Sequence, residues 1–141
     1  MLHRKDPAIA ELATELGSLG HLAPLPAPVL QALAAAGRVV HLPASWALVS
    51  EDTPADSCYV LLSGETEVRH GADIVATLGP GALIGEAALV EHRRRNATVI
   101  TSTAVRALRL GYDDLTRLFL THPSLEGVFR AEWERRKQST S

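Results

Sequence analysis

Apolar and polar positions follow three successive regimes along the chain. Between residues 6 and 37 apolar positions recur at three- and four-residue steps, so that Ile9, Leu12, Ala13, Leu16 and Leu19 share one helical face. Asp6-Pro7 supplies a start, an N-cap carboxylate followed by proline at the first helical position. Pro24, Pro26 and Pro28 break this helix from a second that carries Val29, Leu30, Leu33 and Ala34 and stops at Gly37. From Arg38 the period shortens, and β-rich runs are predicted at Arg38 to Leu42, Trp46 to Ser50, Ser57 to Ser63, Thr66 to His70, Ile74 to Leu78, Ala97 to Thr101 and Val105 to Leu110. Turn signals separate them at Pro43-Ala44-Ser45, Asp52-Thr53-Pro54, Ser63-Gly64, Gly71-Ala72-Asp73 and Gly79-Pro80-Gly81. After Gly111 the helical period returns. Asp113 or Asp114 is expected to cap a run with Leu115, Leu118, Phe119 and Leu120, which His122-Pro123 ends. A last helix from Pro123 places Leu125, Val128 and Phe129 on one face and Trp133 near its end, with Glu132 and Glu134 ahead of Arg136 and Lys137. Gln138 to Ser141 reads as a frayed tail.

Short strands at close spacing argue for an antiparallel sandwich or jelly roll, not a parallel α/β sheet. The fold class expected is mainly β with flanking helices. The 141 residues read as a single domain: N-terminal helices over 6–37, a β-roll over 38–110 interrupted at 79–99, and C-terminal helices over 113–138. Charged residues at 21% and apolar ones at 46% fit an ordinary globular chain, and a net charge of -2 gives no general attraction to nucleic acid or an anionic membrane. Any anion binding must therefore be local. The one cysteine, Cys58, sits beside Tyr59 in a predicted strand and reads as a buried thiol suited to a reducing compartment. No signal-peptide pattern opens the chain and no apolar run approaches the roughly 18 residues of a membrane span, so a cytoplasmic setting is expected.

The interruption at Gly79 to Val99 carries the chemistry. Gly85-Glu86-Ala87-Ala88-Leu89 can form one helical turn whose first N–H groups lack intrahelical partners, a natural anion cradle that small residues leave open. Arg93, Arg94 and Arg95 follow, and an arginine can give two phosphate oxygens paired hydrogen bonds. Glu86 would repel a phosphate unless it met another part of the ligand, and a ribose hydroxyl suits it. Phosphate plus ribose hydroxyl means nucleotide.

Gly85-Glu86-Ala87-Ala88-Leu89, followed after a short linker by Arg95-Asn96-Ala97-Thr98-Val99, resembles the phosphate-binding cassette of the cyclic-nucleotide-binding domain family. Nine positions separate Glu86 from Arg95, and that spacing selects Arg95 over its two neighbours. Tyr59 to Glu65 is similar to the family's central hairpin and Leu78 to Ile84 to its approach to the cassette. The resemblance implies that Glu86 binds the ribose 2′-hydroxyl and Arg95 the cyclic phosphate, while Gly85, Ala87, Ala88, Asn96 and Ala97 complete the cradle. Leu83 and Ile84 are expected as pocket wall, and Trp133, Arg135 or Arg136 as a lid over the base. The chain departs from the family in having Ser45 and Asp52 where glycine is common, which implies turns built differently. Asn96 replaces a smaller residue or threonine and leaves base preference open, and Ala87 replaces a bulkier residue on the pocket floor.

The function expected is a cyclic-nucleotide sensor, with cAMP as ligand and cGMP as the alternative, that reports binding by moving its last helix. No cofactor is expected. A metal-dependent cupin-like enzyme is the competing class, and the six histidines (3, 21, 41, 70, 92 and 122) offer no His-x-His pair for it. As parent context, a bacterial cyclic-nucleotide-gated potassium channel ranks ahead of a transcription regulator or another multidomain protein, since the chain holds no reader helix for DNA.

Overall fold

The computed structural model describes residues 7–49, 57–85 and 97–140, with backbone alone at 133 and from 136 onward. Two helices, α1 (Pro7–Gly17) and α2 (Ala27–Ala36), flank a 3₁₀ turn at Gly20–Leu22. Eight strands follow: β1 (Arg38–Leu42), β2 (Ala47–Val49), β3 (Ser57–Ser63), β4 (Thr66–His70), β5 (Asp73–Leu78), β6 (Leu83–Ile84), β7 (Thr98–Thr101) and β8 (Val105–Gly111). Two helices close the described chain, α3 (Tyr112–Thr121) and α4 (Pro123–Thr140). The strands form two four-stranded sheets, ordered β1-β8-β3-β6 and β2-β7-β4-β5. Their pairings are antiparallel, from Arg38↔Arg109 at one edge of the first sheet to Tyr59↔Ile84 at the other. This is the mainly β roll with flanking helices that the pattern predicts.

The first sheet is buried on both faces. Side chains alternate across a strand, so Cys58, Val60 and Leu62 of β3 point toward the helices while Leu61 points into the roll. On β8, Leu108 and Leu110 join the helix side and Val105 and Ala107 the roll side. Even two-residue β6 divides this way, Leu83 to the helices and Ile84 to the roll. The helix-side core gathers Ile9, Leu16, Leu33, Leu115, Leu125 and Phe129, all fully buried. The roll-side core is smaller and brings Leu48, Val49 and Val99 of the second sheet against Leu61 and Ile84. α1 is also fixed to β8 by a two-bond pair between Glu15 and Arg106, at 2.9 and 3.2 Å, and the bond to Glu15 raises the Arg106 pKa above its ordinary value.

Several expectations need correction. The N-cap of α3 is Gly111, with no side-chain cap; Asp113 and Asp114 lie in the first turn, where their charge favours the exposed N–H groups instead. Leu120 is 80% exposed, because the buried face of α3 is set by Leu115 with help from Leu118 and Phe119. α4 continues as helix through Thr140, so residues 138–140 are not a frayed tail. Leu83–Ile84 forms a strand that periodicity could not reveal in two residues. β1, β3 and β4 have the expected bounds, and the other described strand ends differ by one position at most. Asp6, Ser50 and Asp52 lie outside the described residues.

The turn at Ser45 was expected to be built differently from a glycine turn, and it is not. Ser45 itself takes the left-handed conformation, with φ 64°. Thr101, nearly fully buried, holds it there. The Ser45 N–H donates to the Thr101 carbonyl at 2.7 Å, the Trp46 N–H donates to Thr101 Oγ1 at 2.8 Å, and that hydroxyl donates to the Pro43 carbonyl at 2.6 Å. Three bonds outweigh a strain of about 1–2 kcal/mol in a non-glycine residue. Ser45→Gly is expected to relieve that strain and, after its own cost in the unfolded chain, to stabilise by roughly 0.5–1 kcal/mol. A rise of about 1–4 °C in thermal midpoint is the expected reading; a fall would mean that the serine side chain, not the backbone, holds the turn.

Candidate functional site

The approach to the cassette is tied down residue by residue. The Gly81 N–H donates to the Leu61 carbonyl at 2.7 Å, and the Leu61 N–H donates to the Ala82 carbonyl at 2.9 Å. The β3–β6 ladder then pairs Val60 with Leu83 and Tyr59 with Ile84. One residue further, Gly85 takes φ 91°, a conformation that side-chain-bearing residues avoid, and its carbonyl accepts a 2.7 Å hydrogen bond from the Tyr112 hydroxyl. On the far side of the motif, Ala97 is buried and leads into β7 of the second sheet. β6 belongs to the first sheet and β7 to the second, and Ile84 and Val99, one on each of these strands, both lie in the smaller, roll-side core.

Of the residues assigned from sequence, Gly85, Ala97, Leu83 and Ile84 fall within this frame. The structure divides the expected wall pair: Ile84 faces the roll interior, and Leu83 packs behind the sheet against the helices. Glu86, Ala87, Ala88, Arg95 and Asn96 lie outside the described residues, as do the side chains of Trp133 and Arg136. Arg135 is 70% exposed and is engaged, its Nε and Nη2 both donating to Glu132 of the same helix. To cover a base it would have to leave that carboxylate.

Two groups escaped the sequence reading. Glu132, paired there with residues further along a solvated face, is only 4% exposed, and its partner is Arg135. His21 Nδ1 of the 3₁₀ turn stands 3.6 Å from Glu132 Oε2, the oxygen that also accepts from Arg135 Nε. The signal was available: Leu125, Phe129 and Glu132 continue one helical stripe at steps of four and three, so Glu132 occupies a core position. Tyr112 offered no such signal, because its partner lies 27 positions away across the sheet. Among the described residues no cluster of His, Cys, Asp and Glu is arranged to hold a metal ion, and no helix is long and apolar enough to cross a membrane.

With this frame in view, the likeness to known proteins is direct. The family description "cyclic nucleotide-binding domain" matches residues 39–122, which covers β1 through α3 and the whole cassette. The chain belongs to the cyclic nucleotide-binding domain family. It is 32% identical over 97 residues to a cAMP-dependent protein kinase regulatory subunit of Aspergillus niger, covering 67% of this chain and 23% of that one. It is 32% identical over 102 residues to a cyclic nucleotide-gated potassium channel of Mesorhizobium japonicum, covering 72% of this chain and 28% of the channel. The chain thus spans about a quarter of the length of these curated relatives. In fold it is similar to the solved structure of PKAR CBD2 bound to Sp-2Cl-cAMPS, with a TM-score of 0.80 at 17% identity over 93% of this chain and 90% of that one.

The Glu132 cluster generates a stability test. A carboxylate this buried depends on the guanidinium paired with it, and removing that group leaves it poorly compensated. Arg135→Ala is expected to cost about 1–2 kcal/mol, less than a fully buried pair because the guanidinium is largely in water. Glu132→Leu, which fills the same position without a charge to compensate, is expected to be neutral or stabilising. Chemical denaturation of the three proteins checks this; an Arg135→Ala variant as stable as the parent would reduce the contact to an ordinary surface pair.

Proposed function

We propose that the chain is a non-catalytic sensor of a cyclic nucleotide, with cAMP as its preferred ligand, and that it works as one regulatory unit of a larger protein. The observation that carries this is the two-part motif, Gly85 to Leu89 and Arg95 to Val99, lying inside the matched stretch 39–122. The anchoring of both of its ends on facing sheets supports the same reading. In it Arg95 pairs with the cyclic phosphate, the N–H groups of Ala87 and Ala88 with the Asn96-Ala97 backbone share that charge, and Glu86 accepts from the ribose 2′-hydroxyl. Ile84 walls the pocket from the roll side. The choice of cAMP over cGMP rests on the cAMP-dependent kinase subunit among the relatives. Asn96 is the residue of this chain that would bear on it.

A ligand can bias the protein only through different affinities for two states. The pair α3–α4, joined by the edge-to-face contact of Phe119 and Phe129 with ring centres 5.3 Å apart, is the element placed to differ between them. The cytoplasmic setting and the parent protein belong to the same proposal. The channel relative supports a channel-type parent, and the kinase subunit supports an effector of another kind.

Arg95→Ala is expected to weaken cAMP binding about ten- to a hundredfold, since a charge-assisted pair to a sequestered phosphate contributes about 1.5–3 kcal/mol. A variant that titrates like the parent in calorimetry removes the phosphate assignment. The ribose assignment has its own test. The parent is expected to bind 2′-deoxy-cAMP more weakly than cAMP, and Glu86→Gln is expected to shrink that penalty. An equal penalty in both proteins would separate Glu86 from the ribose, because uncoupled changes simply add.

A further inference from the structure

The β3–β6 ladder ends at Tyr59↔Ile84, and the next carbonyl along the chain, that of Gly85, is satisfied by a side chain instead of a strand. That side chain is Tyr112, the first residue of α3, directly after the end of β8. Its ring is half-buried against the helix-side core, beside which Leu115 sinks α3 fully into the same cluster. The hydroxyl reaches across to the Gly85 carbonyl, at 2.7 Å.

A main-chain donor at this place would belong to the sheet and could not move independently of it. A tyrosine on α3 moves with α3. The Gly85 carbonyl also shares one planar peptide unit with the N–H of position 86, so pinning the carbonyl sets the direction of the group that opens the cassette. The left-handed Gly85 makes this unit easy to reorient once released, since glycine has low-energy alternatives on either side of φ zero.

We propose that Tyr112 is a positioning residue for the nucleotide site, its hydroxyl holding the first peptide of the cassette in register with α3. This rests on the cyclic-nucleotide reading of that site. Ligand affinity then depends on where α3 sits, and the position of α3 depends on how the cassette is set, through the hydrogen bond that Tyr112, itself not one of the residues assigned to the ligand, donates to the Gly85 carbonyl. The bond is part of the frame and the ligand chemistry remains with Glu86 and Arg95.

Tyr112→Phe keeps the ring and its packing and removes only the hydroxyl. Two measurements on the same protein test the proposal. In the ligand-free protein, hydrogen exchange followed by NMR is expected to accelerate at the amides around Gly85 and to stay unchanged in the middle of β3 and β8. In calorimetry, cAMP affinity is expected to fall about three- to tenfold, the scale of one neutral hydrogen bond. Tyr112→Leu, which loses ring and hydroxyl together, should not bind more tightly than Tyr112→Phe. Unchanged exchange around Gly85, or faster exchange throughout both strands with unchanged cAMP affinity, overturns the proposal and leaves Tyr112 as a packing residue. If the parent protein takes up no cyclic nucleotide, the reading of the site fails and with it the ligand half of the proposal, while the exchange arm still decides whether Tyr112 holds the segment.

Discussion

A sheet buried on both faces is the constraint on which this molecule depends. β3 and β8 carry apolar side chains in both directions, and so divide the interior into a large core under the helices and a small one inside the roll. A partition of this kind is costly to distort, because a shift that improves packing on one face disturbs it on the other. It also gives the chain a rigid wall whose end is the start of the cassette: Ile84 and Leu83 sit on it, back to back, and Gly85 is the first residue beyond.

The hydrogen bonds around that wall form a gradient. Residues 81–84 are held by main-chain bonds to β3, which fix them to the sheet. Gly85 is held by a helix-borne hydroxyl, which fixes it to something outside the sheet. On the helix side, the buried carboxylate of Glu132 stands 3.6 Å from His21 of the 3₁₀ turn, and the same carboxylate accepts from Arg135. Main-chain support from the sheet thus ends at Ile84, and the contact at Gly85 comes from a helix.

Much of this was legible in the sequence, for identifiable reasons. The helices show because one face of each is apolar at regular steps, and the strands show because turn residues bracket them. β3 was found with its ends correct although Ser57 to Ser63 does not alternate, since both its faces are buried and its flanking turn signals are strong. Two-residue β6 was invisible, as any period-two pattern needs more positions than it has. Ser45 misled in a different way: the sequence shows a residue that disfavours positive φ, and only the structure shows the Thr101 bonds that impose it. The motif from Gly85 to Val99 was readable because spacing along the chain encodes it. The contacts that frame it, Tyr112 to Gly85 and His21 to Glu132, join residues far apart in sequence, and no local pattern announces them.

Function depends on whether the segment from Gly85 to Val99 binds a ligand with a ribose and a cyclic phosphate. Titration calorimetry of the chain with cAMP, with cGMP and with 5′-AMP tests this most directly, because the three ligands vary the base and the cyclic phosphate separately. The account predicts saturable uptake of cAMP at one ligand per chain, weaker uptake of cGMP, and none of 5′-AMP at comparable concentration. A folded chain that takes up neither cyclic nucleotide, or that binds 5′-AMP as well as cAMP, would contradict it.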